Sequence, residues 1–401
     1  DELRMILQGV SLLSDLSGKS AARIVSTGEI LSSYLITMAM KQRGLKASLK
    51  DSRQLIQTDD TFQNALVDYD VTYSNIAEFF ASTEAEIIVL PGFIASNERG
   101  ETTTLGRGCS DFTAALIANG AHADCLEIWT DVSGMYTANP KLVRQAKPIE
   151  SISYQEAMEL SHFGAKVLYP PTVQPALDKG IDILIKNTME PEAPGTRITE
   201  KTKVNGSLIK GISHIEDIAL LTLEGNGMVG VPGISSRLFG ALADELINVK
   251  FITQASSEHS ICLAIDDQDT ARAKKAVDRE FEFEILKNRV DPLVVEKQLA
   301  IIALVGDQMK SHQGISGKMF SELGHNNVNI RAIAQGSSER NISAVIREED
   351  VKKALNVLHA SFFEAQIKQL NLFVVGIGNV GGKLLDQIEN QQKFLIEKKN
   401  L

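Results

Sequence analysis

The sequence has little that would suit it to an anionic polymer, a membrane or an oxidising compartment. Acidic residues outnumber basic ones by 51 to 41, a formal charge of −10. Net negative charge disfavours nucleic acid or an acidic membrane surface as a partner. A bound nucleotide would need local basic residues. No apolar stretch approaches the ~20 residues of a transmembrane helix. Cysteine is scarce, with three in the chain. Cys109, Cys125 and Cys262 lie far apart and lack metal-ligand spacing, so neither a disulfide framework nor a metal centre is expected. That usage fits a cytoplasmic protein. Cys125 and Cys262 sit in apolar, strand-like runs and read as small core residues. A signal peptide is not expected either. Asp1 and Glu2 are acidic, and Leu3, Ile6, Leu7 and Val10 recur at helical spacing. The chain is expected to begin inside a helix, with something upstream missing.

What is present is a large soluble core. Hydrophobic residues make up 43% of the chain and charged ones 23%, ordinary for globular protein. The 401 residues suggest two to four domains of ~100–200 residues each. Apolar spacing predicts helices over 1–14 and 20–43, the second interrupted at Ser26-Thr27-Gly28-Glu29. There Gly28 marks a break or a close approach. Glu29 then opens the second half, where free N–H groups favour an acid. Further on come strands at 47–49, 86–90 and 125–129, helices at 72–82 and 111–119, and a hairpin turn at 97–100. A turn at 136–141, helices at 153–161 and 173–179 and a strand at 181–185 follow. Strands alternating with helices indicate a three-layer α/β domain with a largely parallel sheet. A boundary is placed near 205, in a polar stretch.

In such sheets ligands gather at the carboxyl ends of strands. Two stretches fall there. One is Gly106-Arg107-Gly108-Cys109-Ser110-Asp111, before the 111–119 helix. Ser110 or Asp111 can cap that helix, leaving N–H groups for an anion. The glycines allow close backbone approach, and Arg107 offers a planar cation for carboxylate or phosphate. The plain alternative is a surface turn with a solvated arginine. The other stretch is Thr130-Asp131-Val132-Ser133-Gly134, after Trp129. Lys166, beside Gly164, is a candidate contact to phosphate or base, or else an ordinary surface lysine.

The second half of the chain repeats. Residues 218–298 match 299–379, each matched pair lying 81 apart, as Gln254 does from Gln335. Gly233-Ile234-Ser235 matches Gly314-Ile315-Ser316, and Phe239 matches Phe320. Each copy reads strand, glycine loop, helix, strand, strand, helix. Most matched apolar residues serve the core, but an amide after an apolar strand does not. Last come an expected strand at 372–375 and Gly376-Ile377-Gly378-Asn379-Val380-Gly381, a G-x-G-x-x-G pattern leading into a helix from 383. The second strand and acid such a fold needs would lie beyond Leu401.

Taken in order, Ser26-Thr27-Gly28-Glu29, Gly106-Arg107-Gly108-Cys109-Ser110-Asp111, Trp129-Thr130-Asp131-Val132-Ser133-Gly134-Met135-Tyr136 and Phe163-Gly164-Ala165-Lys166-Val167-Leu168 resemble the aspartate kinases of the amino-acid kinase family. The repeated Ile252-Thr253-Gln254 and Ile333-Ala334-Gln335 segments resemble tandem ACT regulatory domains. The glycine pattern after them is similar to the junction in bifunctional aspartate kinase–homoserine dehydrogenases.

The resemblance implies an α/β kinase domain at 1–205, ACT (ferredoxin-like) units at 206–298 and 299–370, and the start of a Rossmann domain at 371–401. It implies phosphorylation of the side-chain carboxylate of L-aspartate by ATP with Mg2+, the first step of threonine, methionine and lysine biosynthesis. Glu29 would bind the substrate ammonium and Arg107 its α-carboxylate, with Gly108, Cys109 and Ser110 shaping the pocket and Asp111 capping the helix and helping to orient the acceptor. Thr130, Asp131, Tyr136 and Lys141 would hold ATP, with Lys166 and Val167 near the base. L-Threonine would inhibit at the ACT units through Gln254 and Gln335, with Asn248 and Asn329 as lesser contacts. A homo-oligomer formed through the ACT units is implied. NAD(P)(H) would be bound only by a complete dehydrogenase domain, in which Gly376, Gly378 and Gly381 belong to the fingerprint. The family's Lys-Phe-Gly-Gly phosphate loop does not occur in this sequence. Weak kinase activity is therefore expected of these residues by themselves, and the alternative is an amino-acid-sensing regulatory fragment.

Overall fold

The computed structural model describes residues 2–399 except 107, 163–167, 169–172, 201–207, 255–257, 308, 310–311, 336–339, 365–374 and 377. Helix α1 (Glu2–Leu13) leads into α2 (Gly18–Gln42). The hydroxyl of Ser17 accepts from the Ser20 N–H and caps α2. The interruption expected at Gly28 does not occur. Helix α2 runs through it, and a side chain at Gly28 would meet nothing within 4 Å. Its small residues Ala22, Ser26, Ser33 and Thr37 make one buried face. That packing outweighs the roughly 1 kcal/mol a helical glycine costs. Glu29 is thus a mid-helix residue.

Strand β1 (Ala47–Leu49), β2 (Gln57–Thr58), α3 (Tyr69–Ser82), β3 (Ile87–Val89), β4 (Ile94–Asn97), β5 (Thr102–Thr104) and α4 (Ser110–Gly120) complete the first half of this domain. β1 pairs with β3 and β2 with β4, both parallel, and the 97–100 turn makes β4 and β5 antiparallel. The second half holds β6 (Cys125–Thr130), β7 (Ser151–Ser153), α5 (Tyr154–His162), α6 (Val173–Lys179), β8 (Asp182–Asn187) and β9 (Thr196–Thr199). β6 pairs with β8 and β7 with β9, both parallel, while β8 and β9 are antiparallel. The core runs through Ile128, Ile152, Ile183, Ile185 and Ile198. Cys125 is exposed rather than buried. It shares the outward face of β6 with Glu127 and Trp129, because strand side chains alternate. Cys262 is half-buried.

The repeats form one antiparallel sheet with spatial order β11-β12-β10-β13-β15-β14. Its strands are β10 (Gly211–Glu224), β11 (Phe251–Gln254), β12 (Ser260–Asp266), β13 (Val294–Val305), β14 (Ala332–Ala334) and β15 (Asn341–Arg347). Helices α7 (Ile234–Asp244), α8 (Thr270–Glu280), the short α9 (Glu282–Leu286), α10 (Ile315–His325) and α11 (Val351–Phe363) accompany it. The two long strands are shared. Gly211–Ile215 of β10 pairs with Ile301–Val305, and Ile209 and Ile212 pack with Leu304, Met319 and Leu358 of the second repeat. Val294–Glu296 of β13 pairs with Leu220–Thr222 of the first repeat. Irregularities lie between, with Asp217 and Gln298 at positive φ. Packing therefore does not follow the 298/299 division, because the second repeat is completed by Gly211–Ile215, strand from outside its own stretch.

Helix α12 (Asn379–Lys399) begins before residue 383 and includes Gly381. The strand expected ahead of it falls mostly outside the described residues, and a Rossmann unit is not shown among the described ones. Among the described residues no helix is long and apolar enough to cross a membrane.

Candidate functional site

One cluster forms where α2, the β3–β4 corner and the start of α4 meet. The Gly92 N–H donates to Glu29 Oε1 at 3.1 Å, and the second carboxylate oxygen takes no hydrogen bond from the described residues. Gly92 also touches Ser110: a Cβ at Gly92 would lie 2.8 Å from the Ser110 Cβ. The corner is held by the Phe93 N–H on Thr113 Oγ1 at 3.0 Å and the Leu105 N–H on the Phe93 carbonyl at 3.0 Å. Phe93 adopts φ +48° to make both. Gly106 and Gly108 have φ +104° and +77°. A Cβ at Gly106 would approach Asn64 Oδ1 to 2.3 Å. Gly106, Gly108, Asn64, Phe93 and Ser110 line an open cleft of about 500 Å³, which Glu29 and Gly92 adjoin through Ser110.

Cys109, rather than Ser110 or Asp111, is the N-cap of α4, and it makes no side-chain cap hydrogen bond. Ser110 and Asp111 fall one and two positions further on, already inside the helix. The buried Cys109 thiol donates instead to the Leu105 carbonyl at 2.9 Å. That turns the thiol inward, away from the N–H groups of the first turn. Burial pushes the Asp111 carboxyl above its ordinary range. Arg107 lies outside the described residues, as do Lys166 and Val167. Gly92 and Phe93 were missed by sequence reasoning, although Pro91-Gly92 at a strand end was a visible signal.

A second cluster lies at the carboxyl ends of β6 and β8. Thr130 Oγ1 donates to Asp131 Oδ1 at 3.2 Å, and Asp131 is exposed. The Thr188 N–H donates to the Thr130 carbonyl at 2.8 Å. Ser133 donates to Glu190 at 2.8 Å and accepts from Asn187 at 2.9 Å. Gly134 has φ +101°, and a Cβ there would meet Thr196 Oγ1 at 2.5 Å. Trp129 packs under Lys186, whose Nζ is 5.0 Å from the ring centroid. Tyr136 is half-buried and bridges to Pro148, while Lys141 is exposed.

The loop from Tyr136 to Pro148 continues onto the second repeat. Thr137 Oγ1 meets Nε2 of the fully buried His359 at 2.9 Å. Burial holds the His359 pKa below the usual 6.5, with Lys147 adding to this and Glu364 opposing it. The folded state therefore keeps His359 neutral, while the unfolded chain takes up a proton below about pH 6.5. Stability is expected to fall as pH drops below that value and to be unaffected by this group above it. Burial also lowers the His214 pKa, so the check is comparative. The thermal midpoint of wild type should fall more steeply than that of His359→Gln between pH 7 and pH 5.5, and parallel profiles would count against it.

In the first repeat the loop around Gly230 and Gly233, with Ser235, Gln254, Glu258 and Ile261, encloses a hollow of about 460 Å³. In the second, Ser316 donates to Gln335 Oε1 at 2.9 Å. Asn248 and Asn329 are exposed, and Asn248 is not part of the hollow's wall. Among the described residues no group of three or more His, Cys, Asp or Glu side chains is placed to hold a metal ion.

An α/β domain with two strand-end clusters, followed by paired α+β repeats, is the architecture of an amino-acid kinase domain with tandem ACT domains. Residues 6–187 match the amino acid kinase family, and residues 221–281 and 302–362 each match the ACT domain. The lysine-sensitive aspartokinase 3 of Escherichia coli is 32% identical over 371 residues, covering 91% of this chain and 81% of the relative. The crystal structure of E. coli aspartokinase III in complex with aspartate and ADP superposes with a TM-score of 0.76 at 32% identity, over 90% of this chain and 81% of that one. The chain belongs to the aspartokinase family. The bifunctional aspartokinase/homoserine dehydrogenase of Haemophilus influenzae is 37% identical over 99% of this chain, which spans 48% of that relative's length.

Proposed function

We propose that the protein transfers the γ-phosphoryl group of Mg-ATP to the side-chain carboxylate of L-aspartate and that an amino acid, L-threonine, regulates it. The observation that carries the reading is the Glu29–Gly92–Ser110 junction. It fixes an acid beside a glycine-lined cleft at a strand end. Glu29 takes the substrate ammonium with its second oxygen, and Ser110 and Asp111 border the acceptor. Arg107 takes the α-carboxylate by the family resemblance. Thr130 and Asp131 face the nucleotide, with Tyr136 and Lys141 on the loop that follows. Phosphoryl transfer needs positioning and charge neutralisation more than proton transfer. Magnesium arrives with the phosphates and needs only one or two carboxylates from the protein. Asp131, exposed at the end of β6, fits that part.

For regulation, the open hollow of the first repeat favours Gln254 over Gln335 as the effector contact, since Gln335 is already engaged by Ser316. Fusion to homoserine dehydrogenase in relatives such as the H. influenzae protein favours threonine. Against this, one close structural relative was crystallised with lysine and aspartate, at a TM-score of 0.71 and 33% identity.

The test is calorimetric titration with Mg-ADP, L-aspartate and L-threonine, beside an ADP-release assay with L-aspartate or L-glutamate as acceptor. The reading expects Mg-ADP and L-aspartate to bind and L-glutamate to be a poor acceptor. Threonine binding without aspartate or nucleotide binding would instead identify a regulatory fragment.

A further inference from the structure

Residues 136–148 form a closed loop without a core of its own. The Thr137 N–H donates to the Lys147 carbonyl at 2.9 Å, and the Lys147 N–H donates back to Thr137 Oγ1 at 2.9 Å. The apolar side chains Ala138 and Val143 are buried, and Leu142 packs beside them. All of them lie in the same cluster as Leu355 and Leu358 of α11. Three polar ties join the loop to the regulatory sheet and α11. The Ile212 N–H donates to the Thr137 carbonyl at 2.8 Å. Asn356 Nδ2 donates to the Leu142 carbonyl at 3.0 Å. Thr137 Oγ1 and His359 Nε2 are 2.9 Å apart.

The Thr137 hydroxyl serves both sides of this junction. It accepts from the Lys147 N–H and still has a proton and a second lone pair for His359 Nε2, whichever tautomer the ring takes. His359 Nδ1 has no hydrogen-bond partner among the described residues, and Glu364 Oε1 lies 3.9 Å from it. The ring stacks on Phe363 with centroids 5.0 Å apart. A leucine would fill this buried place on α11 with no polar group to satisfy. The Nε2 of a histidine there is matched only when Thr137 sits in this one position, so it sets the register of the loop.

We propose that α11 of the second repeat is a clamp on the nucleotide loop, with His359 as the positioning residue. This rests on the reading above that Tyr136 and Lys141 serve the nucleotide. The clamp makes the second repeat a transmitter. The effector hollow lies in the first repeat, β10 and β13 run through both repeats, and α11 covers the second. A ligand that favours one arrangement of the shared strands changes the position of α11 and therefore of the loop. The nucleotide site is then completed by the regulatory module.

The single tryptophan, Trp129, is 45% exposed and adjoins Thr130, so it reports nucleotide binding by fluorescence. In His359→Ala, Mg-ADP affinity should drop about tenfold, the loss of one buried hydrogen bond with its partner stranded. L-Aspartate affinity, read by calorimetry, should stay within about twofold of wild type, as expected for an interaction confined to the other cluster. His359→Gln, which keeps an amide near the position of Nε2, should recover most of the loss. Unchanged Mg-ADP affinity in His359→Ala, or equal loss of both ligands, would overturn the proposal. Should His359→Ala fail to fold, Thr137→Val carries the same comparison. A wild-type chain that binds no Mg-ADP defeats the nucleotide reading, and amide exchange then decides the clamp. Faster exchange across 137–147 in His359→Ala, with β6 and β8 unaltered, supports it, and unaltered exchange across the loop rejects it.

Discussion

Glu29→Gln is expected to weaken L-aspartate binding by about thirtyfold or more while leaving Mg-ADP affinity within about twofold. The substitution is close to isosteric. The amide oxygen still accepts the Gly92 N–H at the place where Glu29 Oε1 does so now, at 3.1 Å. The corner at Gly92 and its contact with Ser110 therefore survive. What disappears is the negative charge that would meet the substrate ammonium. Removing one member of a desolvated charge pair costs about 2–5 kcal/mol, much of it from leaving the other charge unpaired. Each 1.4 kcal/mol is about tenfold in affinity. Glu29 is half-buried, at mid-helix on α2, so bulk water would screen the pair only in part. The measurement is a calorimetric titration of L-aspartate with Mg-ADP held saturating. Equal aspartate affinity in the variant and wild type would remove Glu29 from the substrate site.

How much of this could be read beforehand follows the range of each signal. The end of β6 at Thr130 was legible, because alternation along Leu126 and Ile128 announces the strand and the polar run after it announces its end. The hairpin at 97–100 was equally local. The repeat was legible because matched residues keep one spacing along the chain. What failed was anything decided by packing at a distance. Gly28 read as a break, yet the small-residue face of α2 keeps the helix whole. Cys125 read as core, but which face of β6 is covered depends on α4 and α6, not on the strand. The cap of α4 moved to Cys109 because the thiol finds the Leu105 carbonyl. Sharing of β10 and β13 between repeats was invisible for the same reason. A strand lying before the first copy completes the second, and no internal match marks it. The sequence Ser153-Tyr154-Gln155-Glu156 did carry a local signal for a capping box. In the fold Ser153 Oγ accepts from the Glu156 N–H and Glu156 Oε2 from the Ser153 N–H. The same two side chains also bind Asp307 of the second repeat, a contact that no local pattern could announce.

Gly195→Ala should be the most damaging single methyl group in the kinase domain, and Gly28→Ala its counterpart of opposite sign. Gly195 has φ +70°, and a Cβ there would stand 2.1 Å from the Ile185 carbonyl oxygen. That oxygen belongs to β8 and cannot swing aside as a side-chain tip would. A left-handed alanine costs roughly 1–2 kcal/mol and overpacking a further 1–3 kcal/mol, so a loss of about 3–4 kcal/mol is expected. Thr196, the next residue, accepts the Met135 N–H at 2.8 Å and donates to the Ile149 carbonyl at 2.6 Å. A shift there would carry into Gly134 and the Thr130–Asp131 turn, so Mg-ADP affinity should fall with stability. A methyl group at Gly28 would meet no atom within 4 Å, and the residue sits inside α2. Alanine there should add about 0.5–1 kcal/mol by helix propensity alone. Urea unfolding followed at Trp129 and by circular dichroism checks both. A Gly195→Ala midpoint equal to wild type would mean that the turn between β8 and β9 can open by more than an ångström without cost. The strand-end geometry on which the nucleotide cluster depends would then not be held by that turn.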